Sequence, residues 1–277
     1  LTAIGTALTW YSDPALTNVV GNGDPFITGE TAVGTYTYYV TQTTNGCPGI
    51  LSTTVTLTIN PEPAINTFTS SVSNISQGNP ISLTVDMAVG TPPFTINLAD
   101  NNIPSNPYTF TITAPNMSGS VAVVPNVIPV TTYSITGITD GNGCPTPPSG
   151  LTVDITIDPY PIIDPFNTTT PEICYGIIPS VDITLTQGQV PVTVNYTYNG
   201  LPYTEVIGIV GMPVNIPLDT ANLNNGINTI TIISATDSDG DQSPNNLIPV
   251  PVDITVNPKP VVTFATTTPE ICFEEDA

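Results

Sequence analysis

The sequence predicts an all-β protein built as an extended array of tandem β-sandwich domains, and three observations predict it. The first is a repeated phrase, since Phe264-Ala-Thr-Thr-Thr-Pro-Glu-Ile-Cys272 echoes Phe166-Asn-Thr-Thr-Thr-Pro-Glu-Ile-Cys174, 98 positions earlier. A second phrase recurs 98 and 99 residues apart at Val55–Pro63, Val153–Pro161 and Val252–Pro260, each reading into Asn/Asp-Pro-x-Pro. A period near 100 residues is that of a whole immunoglobulin-like sandwich and exceeds the roughly 20–50 of a solenoid unit. The second observation is composition: 39% apolar but only 8% charged, with Thr, Asn and Ser at the polar positions and no 3.6-residue apolar period. That is strand composition, and the apolar content argues against disorder. The third is the rhythm of short alternating runs separated by turn residues.

Three units and a start follow: 1–62, an immunoglobulin-like domain whose N-terminal part is missing, 63–160, 161–259, and 260–277 opening a further domain. In 161–259 the strands are predicted at Val181–Thr186, Pro191–Tyr198, Pro202–Val210, Val214–Leu218, Asn228–Thr236 and Val250–Val256, with Asn199-Gly200 and Asn224-Asn-Gly226 as turns. In 63–160 they are predicted at Ile81–Met87, Phe94–Ala99, Tyr108–Thr113, Ser120–Val124, Thr132–Thr139 and Leu151–Ile157. Between units stand Asn60-Pro-Glu-Pro63, Asp158-Pro-Tyr-Pro161 and Asn257-Pro-Lys-Pro260. Proline at alternate positions favours extended, semi-rigid polyproline II, which would space successive domains; it also ends a strand.

Charge excludes several function classes. One Lys, no Arg and no His stand against 22 acids, a net charge of −21. Nucleic acid is bound by neutralising phosphates with Lys and Arg, and a basic patch for lipid headgroups needs the same side chains. No nucleophile can be paired with a His base, and no His or Cys-x-x-Cys pair is present for zinc. No apolar run reaches the ~18 residues of a membrane span, so no direct membrane insertion is expected here. Leu1 lacks the start of a signal peptide and the chain stops as a new repeat opens, so both ends are expected to be cuts, with targeting signals outside them. A paired-carboxylate glycosidase is disfavoured because the acids sit at turns or recur at equivalent positions, as Asp154 with Asp253 and Glu172 with Glu270. The chain is read as no enzyme.

Four local features remain as candidates. Asp237, Asp239 and Asp241 alternate around Gly240, and such an oxygen-rich loop makes calcium the candidate cofactor; a hairpin turn of Asp and Gly is the other reading. Cys144 falls where Asp241 lies in the next repeat, and Cys174 where Ser76 lies in the preceding one. Cys47 takes the late position of the first unit and Cys272 the early position of the last. Early and late positions pair within a domain, or a late Cys pairs with the next early one, as Cys144 with Cys174. Positions one domain length apart exceed the ~7 Å Cα limit of a disulfide, which favours the first scheme. Trp10 and Tyr11 are core aromatics or a sugar platform, with the core reading favoured. Lys259 lies in a linker, and as the single Lys it cannot crosslink an array.

Gly90-Thr-Pro-Pro-Phe-Thr-Ile-Asn97, Asn106-Pro-Tyr-Thr-Phe-Thr-Ile112 and Thr131–Cys144 resemble the Ig-like repeats of very large Bacteroidota surface proteins. Leu8-Thr-Trp-Tyr-Ser-Asp-Pro14 and Gly34–Cys47 resemble a related Ig-like module of the same proteins. The resemblance implies export by the type IX secretion system, an extracellular location on the outer-membrane surface, and kinship with gliding adhesins of the SprB type. Implied partners are neighbouring repeats, the secretion and gliding machinery, and an external surface or polysaccharide gripped by other modules. Asp219-Thr220-Ala221 is similar to the O-glycosylation sequon of these bacteria, marking Thr220. The expected function is a non-catalytic adhesin stalk; a filament or surface-layer subunit and the carbohydrate-binding modules of a secreted enzyme are the alternatives.

Overall fold

The computed structural model describes residues 1–49 and 52–263. It contains two compact units, Leu1–Ser73 with Pro80–Ile155, and Asn74–Asn79 with the residues from Thr156 onward. Among the described residues the only helical turns are short 3-10 segments at Thr220–Asn222 and Asn245–Leu247. The architecture is tandem β-sandwiches.

The first strands are Leu8–Tyr11 (β1), Val19–Asn22 (β2), Gly34–Thr44 (β3), Cys47–Pro48 (β4) and Thr53–Ile59 (β5). They form one sheet in which β2 pairs β1, β1 pairs β3, and both β4 and β5 pair β3. Alternation in β1 and β3 turns Leu8, Trp10, Tyr38 and Val40 to one face, where Phe26 covers them from a loop. Trp10 is fully buried, stacks on Phe26 at 5.2 Å and donates its indole N–H to the Gly23 carbonyl at 2.8 Å. It is a core aromatic and offers no platform to a sugar. The β3–β4 turn, Asn45-Gly46, has φ of 52° and 81°, the paired left-handed conformation of a tight hairpin.

The next strands are Ala64–Ser70 (β6), Asn74–Ser76 (β7), Ile81–Val89 (β8), Phe94–Asp100 (β9), Pro107–Ile112 (β10), Ser118–Val123 (β11), Val130–Thr139 (β12), Pro145–Thr146 (β13) and Thr152–Asp158 (β14). One sheet runs β11-β8-β6; the other runs β10-β9-β12-β14-β7, with β13 on β12. Period-2 patterning supplies the buried faces, with Ile81, Leu83, Val85 and Met87 from β8 and Phe94, Ile96 and Leu98 from β9.

The last strands are Ile162–Asn167 (β15), Glu172–Cys174 (β16), Ser180–Gln187 (β17), Val192–Tyr198 (β18), Leu201–Ile207 (β19), Pro213–Pro217 (β20), Gly226–Thr236 (β21) and Val252–Asn257 (β22). The sheets β15-β17-β20 and β16-β22-β21-β18-β19 enclose one core, to which Val181, Ile183, Leu185 and Ile216 come from the first and Val194, Tyr198, Ile230 and Ile254 from the second. Each such side chain contributes roughly 1.5–3 kcal/mol by burial. All six strands predicted for this stretch form, within a few residues at their ends. The opening strand β15 and the short β16 were not among them, because Pro165 interrupts the alternation and the register of β15 slips twice against β17.

The order of the strands gives the sandwich of 161–259 a direction. β22 runs antiparallel to β21, so that Val252 faces Ile230 and Val256 faces Gly226. Pro161 sits beside Gly188, at the end of the sandwich where β18 begins, and Asn257 leaves at the end where β18 finishes. Chain enters and leaves at opposite ends. The short β16 pairs in parallel with β22, matching Glu172 to Thr255 and Cys174 to Asn257, and the Asn257 amide donates to Glu172 Oε1 at 2.7 Å. The same parallel pairing joins β7 to β14 at Asn74–Ser76 and Thr156–Asp158.

Candidate functional site

The feature that recurs in both complete repeats is a clasp on the incoming linker. Pro63, the last residue of its Pro-Glu-Pro, is buried, and its carbonyl accepts a 2.6 Å hydrogen bond from Thr146 Oγ1. Pro161, equally buried, has its carbonyl bonded by Ser243 Oγ. Glycine makes the approach possible. A Cβ at Gly188 would lie 2.7 Å from Pro161 Cα, and one at Gly90 would lie 3.0 Å from Pro63 Cβ and 2.6 Å from the Phe94 ring. Their φ values, 118° at Gly188 and 122° at Gly90, are also open to glycine alone.

A buried carboxylate ties the last hairpin to this corner. Asp140 Oδ1 accepts from the amides of Asn142 and Cys144, both at 3.0 Å, while Oδ2 accepts from the Thr91 amide at 3.1 Å. The Gly141 amide returns a 2.7 Å bond to the Thr91 carbonyl. In the next repeat Asp237 Oδ1 accepts from the amides of Asp239 at 3.2 Å and Asp241 at 2.9 Å, and Oδ2 from Gln189 at 3.4 Å. Each of the two carboxylates is thus held by three backbone amides.

In this arrangement Asp237, Asp239 and Asp241 do not converge. Asp237 is turned into its own turn, Asp239 points to solvent, and Asp241 Oδ2 is enclosed without a hydrogen-bond partner. Among the described residues no three Asp, Glu, Cys or His come together as a metal-holding group. The turn reading fits, because Asp140 does the same work in a repeat with no neighbouring acids in its turn.

Among the described residues Cys47, Cys144 and Cys174 form no disulfide with one another, Cys47 and Cys174 being exposed and Cys144 half-buried; Cys272 lies outside the described residues. Thr220 is exposed in its 3-10 turn, whose Ala221 amide is capped by Asp219 Oδ1 at 2.9 Å. The Lys259 ammonium lies 5.7 Å from the centroid of the Tyr175 ring, a cation–π contact.

At the opposite end of β9, Asp100 gathers a loop. Its carboxylate accepts from the amides and side chains of Asn102 and Asn106 and from the Tyr108 hydroxyl, at 2.8–3.2 Å. Burial alone would raise this carboxyl, but the donors, Asn106 foremost, outweigh it and hold it below the usual Asp value. The equivalent position in the next repeat is Tyr198, fully buried, whose hydroxyl is pushed up to about 12 by desolvation, with Tyr203 and Asp219 adding to it. Sequence reasoning missed the clasp and the Asp100 loop. Glycines 98 positions apart, Gly90 and Gly188, were the available signal for the first.

Fold and clasp together define a class: tandem immunoglobulin-like sandwiches, of which the repeats of 63–160 and 161–259 each sit on the linker that precedes them. Residues 2–61 match the family model of the Ig-like domain, CHU_C associated. No curated protein matches the chain. Among solved structures the chain is similar to a 1.5-MDa bacterial ice-binding adhesin, at 16% identity and a TM-score of 0.32, covering 72% of this chain and 67% of that one. It is also similar to the adhesin InvE of Yersinia pseudotuberculosis, at 11% and 0.29, covering 69% of this chain, and it spans 58% of that structure. The insect immune protein hemolin matches at 14% and 0.36, covering 91% of this chain and 67% of that one.

Proposed function

We propose that this chain is a non-catalytic stalk segment of a large, repetitive surface adhesin, acting outside the cell. The observation that carries the reading is the repeated clasp, together with incoming and outgoing linkers at opposite ends of the sandwich. Pulling such a domain by its linkers loads the parallel β16–β22 ladder in shear, so its hydrogen bonds resist together. A net charge of −21 keeps like segments apart, an effect that salt screens. The family match of the first module is consistent with it. The finer reading is a gliding adhesin of the SprB type, exported by the type IX system and carrying an O-glycan at Thr220.

An antibody raised to residues 63–259 and applied to living cells tests this. Surface filaments that bind it, with loss of attachment on deleting the gene, support the stalk; movement of those filaments along the cell supports gliding. A continuous static coat, with attachment intact after deletion, would favour a surface layer.

A further inference from the structure

We infer that the open edge of β5 accepts a β-strand from a second copy of this chain, the donor being Pro269-Glu270-Ile271-Cys272, an association that goes beyond the stalk reading and does not rest on it. In both complete repeats the closing strand is paired along both edges, β14 between β12 and β7 and β22 between β21 and β16, with the short partner parallel in each case. Among the described residues β5, the closing strand of the first module, pairs with β3 alone and with no strand on its other side. That edge is open.

The match between β5 and β22 holds residue by residue. Gly34 faces Ile59 across β3 and β5 as Gly226 faces Val256 across β21 and β22. On β22 the groups turned to the short strand are the Thr255 amide, which donates to the Pro171 carbonyl at 2.8 Å, and the Asn257 carbonyl, which accepts from the Tyr175 amide at 2.9 Å. The common register turns the Thr58 amide and the Asn60 carbonyl outward from β3 in the same way, and no described residue bonds to them there. Apolar side chains on the inward face agree. Ile173 of the short strand joins the core that encloses Ile254 and Val256, whereas their counterparts Leu57 and Ile59 are only half-buried.

The occupant follows from what the other closing strands hold. An extended segment adding to a sheet edge gains main-chain hydrogen bonds, and its alternate side chains choose the partner. On β22 the Asn257 amide donates to Glu172 Oε1 of the short strand at 2.7 Å, and β5 carries Asn60 at that position, where β14 carries Asp158 against a short strand without an acid. The acceptor at β5 therefore suits a Glu-Ile-Cys strand. Glu172–Cys174 is already taken by β22, but Thr266–Cys272 repeats Thr168–Cys174 residue for residue, which leaves Glu270-Ile271-Cys272 as the donor. In the shared register Glu270 meets Asn60 and Ile271 covers Ile59. Because every copy carries one acceptor and one donor, copies join head to tail.

The register sets the test, since it places Cys272 of one copy opposite Asn60 of another at the ~5 Å spacing of paired strands, within reach of a disulfide. The full chain carrying Cys47→Ser, Cys144→Ser, Cys174→Ser and Asn60→Cys is oxidised at high salt, which screens the repulsion between acidic copies, and run on a non-reducing gel. The expected result is a ladder of dimers and larger multimers, several-fold stronger than with Thr58→Cys in place of Asn60→Cys, because position 58 faces Glu270. Adding Cys272→Ser or Ile271→Asp should abolish the ladder while the melting temperature stays put. Four outcomes would overturn the inference: monomer throughout, a monomer crosslinked to its own Cys272, equal ladders from positions 58 and 60, or a ladder that survives Cys272→Ser or Ile271→Asp.

Discussion

In the repeat of residues 63–160 the β9–β10 connection runs from Asn101 to Asn106 and is gathered by the Asp100 carboxylate; in the repeat of 161–259 the matching β18–β19 connection is Asn199-Gly200 alone. Asn199 and Gly200, at φ 50° and 81°, make the tight turn, and Asn199 Nδ2 reaches the Asn222 carbonyl and Asn228 Oδ1. At the other end of the same strands the two repeats agree group for group: Pro63 with Pro161, Gly90 with Gly188, Asp140 with Asp237, Thr146 with Ser243. The end that receives the chain is built once and kept, and the far end is closed by whatever local chemistry is at hand. A device tied to linker geometry has few solutions, whereas a hairpin tip has many.

The largest effect that could break this comparison is Gly188→Val. It meets the Pro161 backbone and adopts a φ closed to branched residues, so urea unfolding of the full chain should lose about 3 kcal/mol or more. Gly90→Val should cost nearly as much, through the Phe94 ring and Pro63. A benign result at either site would dissolve the clasp. Next come Asp140→Ala and Asp237→Ala, each stranding three backbone amides, at about 2–3 kcal/mol apiece. Melting of the wild-type chain should move by no more than about 1 °C between millimolar calcium and a chelator, since 1 kcal/mol of binding would shift a domain of this size by roughly 4–8 °C. A larger calcium shift, lost in Asp237→Ala, would restore the calcium loop.

Acid should separate the two far ends. The Asp100 carboxyl is lower in the folded chain than its ordinary 3.8, so its contribution is complete above that value and is lost as pH falls through the lower folded value. Amide resonances of Asn102 and Asn106 should therefore shift below pH 4, while those of Asn199 and Gly200, which rest on no carboxylate, hold. Thr146→Val and Ser243→Ala remove one hydroxyl from the clasp and should each cost about 1 kcal/mol by the same urea measurement.

What the sequence made legible follows from where side chains alternate. Ile81–Val89, Phe94–Asp100, Ser180–Gln187 and Val192–Tyr198 bury every second residue, so their period-2 patterns locate them within two residues. The opening strands Ala64–Ser70 and Ile162–Asn167 escape because bulges break the period and Phe68 or a pair such as Ile163 and Phe166 is all they bury. The acids around Gly240 looked alike in sequence, but backbone amides already claim Asp237, and that is a property of the folded turn. The clasp joins residues 82 and 83 positions apart through a hydroxyl and a carbonyl, a contact no local pattern encodes.

The most direct test of the account is to stretch single molecules of the chain by its ends and compare wild type with Gly188→Val. The account predicts abrupt, separate unfolding events for the two complete repeats, each releasing about 30 nm of chain, with the event of the 161–259 repeat falling to markedly lower force in the variant. Smooth extension at low force, or the same unfolding force with and without Gly188, would contradict a force-bearing stalk built on the clasp.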